Sequence, residues 1–342
     1  MKNLLDFTYD ELAAEVSAMG ERSFRADQLY AWIQRRGARG FEEMTDISKA
    51  LRARLSREYT LARPEAARVL ASGDGTRKIL FVLDDGLCVE SVLMPEKDRA
   101  TLCVSTQAGC AMGCLFCRTA AMGPGRNLTL AEMAGQVLEA ERLAPEGLRI
   151  TNVVLMGMGE PLANFDNVAR LLEVLTDPRG MAFGARKVTL STVGLVPAIE
   201  RLGAISQVNL AVSLNATTDE VRSRLMPVNR RHPIGELIAA LGRYPLKRGR
   251  RITIEYVMID GVNDGDDDAA RLTRLLRPIP CKVNLIPFNP FEGSRFRPPR
   301  PSRVASFHKR LLDAGYAVFT RESRGRDIDA ACGQLAARPL HP

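Results

Sequence analysis

From Thr101 onward, short runs rich in Val, Ile and Leu alternate with longer stretches in which apolar residues recur every three or four positions. This alternation is the pattern of parallel βα units. Strands are expected over 101–106, 152–156, 187–191, 208–213, 252–258 and 282–287, with helices over 130–143, 167–175, 234–244 and 267–276. A further helix over 302–314 and a strand over 317–321 close the series. The fold class is therefore α/β, with about six βα units, which is too few for a closed eight-unit barrel and fits an open, partial one. Upstream, apolar runs at 78–83 and 89–94 flank the turn signal Asp84-Asp85-Gly86 and predict a β-hairpin. Before that, helical periodicity starts at Tyr9 and at Arg25 and runs again over 47–57. The expected division is a small helical domain over 1–65, a hairpin region over 66–98, and the barrel with a C-terminal cysteine loop over 99–336.

Composition narrows the class. In 342 residues there are 48 Lys and Arg against 40 Asp and Glu, a formal charge of +8. Such an excess attracts a polyanion if it gathers on one face, and is otherwise a solvated surface. No stretch is apolar for long enough to span a bilayer, and Asp6 interrupts any leader-like run, so neither membrane insertion nor secretion is expected. Seven cysteines stand at 88, 103, 110, 114, 117, 281 and 332 in a chain too large to need disulfide staples. Their crowding at 110–117 points to metal ligation in a reducing compartment, the cytoplasm.

The run Gly109-Cys110-Ala111-Met112-Gly113-Cys114-Leu115-Phe116-Cys117 sets three thiols at C-x3-C-x2-C spacing just after the first barrel strand. Thiolates suit zinc or iron-sulfur clusters. A structural zinc site closes with a fourth Cys or His, yet no His precedes His232 and no fourth Cys follows nearby. A four-iron cluster on three cysteines instead leaves one iron open to chelate a ligand. The spacing resembles the radical S-adenosylmethionine (SAM) superfamily, in which the amino and carboxylate groups of SAM take that iron. The resemblance implies one 4Fe-4S cluster on Cys110, Cys114 and Cys117. It extends along the strand ends, where Gly159 and Glu160 match the segment that receives the SAM amino group, and Ser191, Ser213, Leu214, Asn215 and Asn289 match its ribose and adenine contacts.

Further segments narrow the family. These are Arg99-Ala100-Thr101-Leu102-Cys103-Val104-Ser105-Thr106-Gln107, Arg126-Asn127-Leu128-Thr129 and Asp327-Ile328-Asp329-Ala330-Ala331-Cys332-Gly333-Gln334-Leu335. Together they resemble the RlmN-type RNA adenine carbon-2 methyltransferases over nearly the whole chain. Pro124 stands where that family has an aromatic residue, and Asn215 where it commonly has histidine.

What the resemblance implies is a methyl transfer made difficult by its target. Carbon 2 of adenine lies between two ring nitrogens and is electron-poor, so it cannot attack the methyl of SAM directly. In the family, one SAM methylates a cysteine, matched here by Cys332. A second SAM, cleaved reductively, yields the 5′-deoxyadenosyl radical that activates that methyl. Glu90 matches the base that removes the ring proton, and Cys103 the thiol that releases the product through a transient disulfide with Cys332. The implied partners are 23S ribosomal RNA, transfer RNA and an electron donor, with no membrane, and the helical domain over 1–65 is expected to bind RNA. Arg321, Arg324 and Arg326 either grip RNA phosphate or form a solvated cluster. Two rival readings are a Cfr-type methylase acting on adenine carbon 8, and an iron-sulfur RNA-binding protein without catalysis. Cys88 and Cys281 match no role and are expected to be structural.

Overall fold

Ten strands form one sheet in the computed structural model, which describes residues 1–337. In chain order these are β1 (Glu65–Ala71), β2 (Arg77–Val82), β3 (Cys88–Glu96), β4 (Arg99–Cys103), β5 (Arg149–Leu155), β6 (Val188–Thr192), β7 (Asn209–Ser213), β8 (Ile252–Met258), β9 (Cys281–Pro287) and β10 (Ala317–Thr320). Each pairs with the next, antiparallel from β1 to β4 and parallel from β4 to β10. The two outermost strands, β1 and β10, do not meet, so the expected partial barrel is open. The two hairpin strands form as expected. They are joined by a third, β1, and all three continue the barrel sheet.

The register puts the chemistry on one face. Side chains alternate along a strand, and residues directly opposite each other share a face. Val92 stands opposite Cys103, Cys103 opposite Val154, Ser191 opposite Ala211, and Ser213 opposite Glu255. The polar positions of successive strands thus line the inside of the open barrel. The intervening positions, among them Phe81, Leu102, Val153, Leu190, Val212, Ile254 and Leu285, are buried in one continuous apolar core.

That core is covered by helices packed on the outer face. Along α4 (Leu130–Arg142), Leu130, Met133, Ala134 and Val137 recur at helical spacing and are fully or almost fully buried. A capping box starts the helix: Thr129 Oγ1 accepts from Glu132 N at 3.2 Å, and Glu132 Oε2 accepts from Thr129 N at 2.9 Å. The remaining outer helices are α5 (Phe165–Thr176), α6 (Val196–Ile205), α8 (Ile234–Arg243), α9 (Asp266–Leu275) and α10 (Pro301–Asp313), while the short α7 (Asp219–Leu225) buries Leu225 beside Cys114 and Phe288.

Residues 1–61 form a separate helical cluster, including α1 (Tyr9–Ala18), α2 (Phe24–Tyr30) and α3 (Lys49–Glu58), around Leu12, Leu29, Ile33, Leu51 and Leu55. The module seats on α4, where Asp6 Oδ1 accepts from Ala131 N at 2.8 Å and Arg39 pairs with Glu139 at 2.6 Å. Among the described residues no helix is long and apolar enough to cross a membrane.

Candidate active site

The loop after β4 turns where only glycine fits. Gly109 has φ +115°, and a Cβ there would lie 2.9 Å from Gly123 O and Gly125 N. The close approach lets Cys110 N donate to Gly123 O at 2.9 Å, which fixes the start of the cysteine run. Cys110, Cys114 and Cys117 then line one cavity of about 950 Å³, together with Gly159, Glu160, Ser191, Ser213, Asn289 and Cys332.

Three thiols on one loop are the soft donor set that an iron-sulfur cluster takes. Burial pushes the Cys110 thiol up to about 11 and raises Cys114 and Cys117 as well, so a cationic centre is needed to ionise them. Two further groups fit SAM. Burial raises Glu160 to about 7 even though its carboxylate accepts from Leu162 N at 3.1 Å and Val193 N at 2.8 Å. An ammonium group at this rim would supply the missing charge. Asn289, which lines the cavity, donates to Cys332 O at 3.1 Å, while its own Oδ1 is buried with no partner among the described residues, an acceptor left for a ligand.

Leu214 and Asn215 do not line this cavity. Asn215 is 1% exposed and has φ +57°; its Oδ1 accepts from Val257 N at 2.8 Å, and its backbone oxygen accepts from Asn263 Nδ2 at 2.7 Å. Leu214 is buried beside it, donating its N–H to Glu255 O at 3.0 Å. Both side chains pack behind Ser213, in the segment that follows β7.

A second cavity, of about 1170 Å³, adjoins the first and is lined by Cys103, Met94, Thr101, Arg321 and Cys332. Cys117, Met156, Gly157, Cys332 and Gly333 border both. Cys332 therefore stands at the junction. Burial pushes the Cys103 thiol up to about 12, the nearby Cys332 sulfur adds to this, and the Arg321 guanidinium opposes it. Arg321 is half-buried at this wall, whereas Arg324 and Arg326 are exposed. Glu90 borders neither cavity. Instead of the solvated carboxylate that a hairpin strand predicts, it is 6% exposed and paired with Lys78 at 3.1 Å.

Two functional candidates carried no sequence signal strong enough to select them. Glu255 lines the first cavity from the middle of β8, and Lys78 gains meaning only from a partner on the next strand. A third residue, Arg222, is structural. It is fully buried, with its guanidinium donating to Leu214 O at 3.0 Å, Val193 O at 2.7 Å, Ser213 O at 3.3 Å and Asn229 Oδ1 at 3.0 Å. It ties together the loops that follow β6 and β7, two walls of the SAM rim. Arg222→Leu should destabilise the fold by about 3 kcal/mol or more, because several carbonyls lose a charged donor at once. Denaturant unfolding would measure this, and a change under 1 kcal/mol would contradict the assignment.

The comparisons fit this geometry. Residues 2–61 match the ribosomal RNA large subunit methyltransferase N-terminal domain, and residues 104–273 match the radical SAM superfamily. The dual-specificity RNA methyltransferase RlmN of Geotalea uraniireducens (strain Rf4) is 54% identical over 336 residues, covering 98% of this chain and 97% of that one. The protein belongs to the RlmN family. Its RlmN relative from Geobacter sulfurreducens (strain ATCC 51573 / DSM 12127 / PCA) is 52% identical, covering 99% of this chain and 93% of that one. A crystal structure of a radical SAM methyltransferase from Sphaerobacter thermophilus superposes with a TM-score of 0.93 at 48% identity, covering 98% of this chain and 99% of that one. The superfamily match ends before Cys332, so the RlmN likeness, which spans the C-terminal loop, is what brings the carrier candidate into the family pattern.

Proposed function

We infer that this RlmN-family protein is a radical SAM methyltransferase that adds a methyl group to carbon 2 of an adenosine in 23S ribosomal RNA and of the adenosine beside the anticodon in certain transfer RNAs. The observation that carries the reading is Cys332 at the shared wall of two cavities, one bearing the thiol triad and the other the second thiol, Cys103. In this reading Cys110, Cys114 and Cys117 hold a 4Fe-4S cluster, Gly159 and Glu160 receive the SAM amino group, and Ser191, Ser213, Leu214, Asn215 and Asn289 make its ribose and adenine contacts. When bound, cluster and SAM supply an activated methyl and, with an electron from a cytoplasmic donor, hydrogen abstraction. Cys332 carries the methyl group to the ring, Glu90 accepts the ring proton, and Cys103 attacks the Cys332 sulfur to free the product. The helical module at 1–65 docks RNA, while the antiparallel strands at 66–98 and the barrel at 99–336 form the catalytic body.

The test is nucleoside mass spectrometry of ribosomal and transfer RNA from cells with and without the protein. Loss of 2-methyladenosine from both RNAs is expected. Loss from only one would restrict the substrate, and 8-methyladenosine in place of 2-methyladenosine would move the chain to the Cfr-type chemistry.

A further inference from the structure

Lys78 and Glu90 are diagonal neighbours across β2 and β3. Leu80 stands opposite Glu90 and Lys78 opposite Val92, so both charged side chains share the inner face with Val92 and, one strand on, Cys103. Lys78 is 9% exposed and Glu90 6%. Withdrawing both charges from water is expensive, and such a pair is a poor source of stability. Its value lies in what it fixes.

Each partner also holds one end of the loop that carries Cys332. Lys78 Nζ lies 3.1 Å from Glu90 Oε1 and donates to Asp329 O at 3.2 Å, three residues before Cys332. Glu90 Oε2 accepts from Ala336 N at 2.9 Å, four residues after it. The pair thus spans the base of the loop. Other contacts hold the loop independently: Arg118 pairs with Asp329 at 2.9 Å, Thr119 Oγ1 donates to Leu335 O at 2.6 Å, and Gln334 Nε2 donates to Pro290 O at 2.7 Å.

We propose that Lys78 is a positioning residue for the reaction, holding the Glu90 carboxylate in register with the Cys332 loop so that the base meets the ring once Cys332 has bonded to it. The inference rests on the reading of Glu90 as proton acceptor. The step served is a proton transfer: the C–H bond on the adenine carbon breaks, its proton goes to Glu90, and its electron pair stays in the ring. Methyl loading of Cys332 precedes this step and does not use Glu90. Because Arg118, Thr119 and Gln334 still tie the loop, loss of the Lys78 ammonium leaves loading intact.

The experiment compares Lys78→Met, Glu90→Gln and the double variant with the wild type, anaerobically reconstituted and supplied with SAM, reductant and substrate RNA. Three quantities are read: Cys332 methylation by peptide mass, protein–RNA adduct on denaturing gels, and free methylated RNA. Lys78→Met should load Cys332 within about twofold of wild type, accumulate adduct, and release free product about 10–100-fold more slowly, up to the cost of misplacing a reacting group by roughly 1 Å. The double variant replaces a buried ion pair with a neutral one, which guards against misfolding of the single variant, and its release should be no slower than that of Glu90→Gln. Release at the wild-type rate from Lys78→Met, loss of Cys332 loading in it, or full multiplication of the two single effects in the double variant would each overturn the proposal. If Glu90→Gln itself releases product normally, the proton-acceptor reading fails and the proposal with it. If Glu90→Gln traps adduct and Lys78→Met does not, the proposal alone fails.

Discussion

Cys332→Ala is expected to yield no methylated RNA above background, while keeping wild-type iron content and SAM binding. The expectation follows from the target atom. Carbon 2 of adenine is too electron-poor to take the SAM methyl by displacement, so a carrier is indispensable, and within this site the thiols divide unevenly. Cys110, Cys114 and Cys117 are committed to the cluster in this reading, and Cys103 sits back in the second cavity, leaving Cys332 as the thiol bordering both chambers. Loss of a member of a unit that acts together costs about as much as loss of the whole unit, so the residual rate should be that of a cluster-free protein. Labelled methyl transfer from SAM to RNA measures it. Cys332→Ser should behave alike, since a hydroxyl is the poorer nucleophile at neutral pH. Methylated RNA from either variant at more than a few per cent of the wild-type rate would remove Cys332 from the carrier role.

Much of this arrangement was legible in the residues because it is local. The strand expected at 252–258 matches β8 to the residue, since its apolar positions alternate cleanly, and α4 begins where Thr129 and Glu132 announce a capping box. The cysteine run needed only spacing. What escaped reading depends on tertiary context. Helix α6 carries Pro197 and Gly203, which look like breakers, but the proline sits in the first turn, where its missing N–H is harmless. Strand β1 is an exposed edge with no apolar alternation to betray it, and α7 is too short to show a period. Asn215 has a positive φ and accepts from Val257 N through its side chain, a tie to the next strand that its own neighbours do not announce. The pairing of Lys78 with Glu90 joins residues on two strands, and no pattern within either strand foretells it. The sheet register supplies that link.

Cys103→Ala separates the second thiol from the first by the step at which it fails. In the proposed sequence Cys103 has no part in loading Cys332 or in forming the carbon–carbon bond, and acts only when Cys332 is tethered to RNA. The geometry agrees with a late role. Cys103 is 7% exposed on β4, its thiol held up near 12 by burial, and it faces Cys332 across the second cavity, with Arg321 the group that draws it toward ionisation. A thiol so placed is protected until a sulfur is brought to it, which suits a resolving nucleophile and not a general one. The variant should therefore assemble its cluster, methylate Cys332 and bond to adenine, then stall with protein attached to RNA. Free methylated product should fall by about 100-fold or more, the scale of losing the nucleophile of a covalent step. On a denaturing gel with labelled RNA the stalled species is a slow band that survives detergent and disappears with nuclease. Cys332→Ala should give no such band, because its adduct cannot form. A cysteine that merely fills the core would give one of two other results: normal product, since alanine is a tolerable replacement for a small buried thiol, or loss of folding that removes adduct and product together. Accumulation of adduct with loading intact is the outcome that a packing role cannot produce, and free product at the wild-type rate without adduct would take Cys103 out of the reaction.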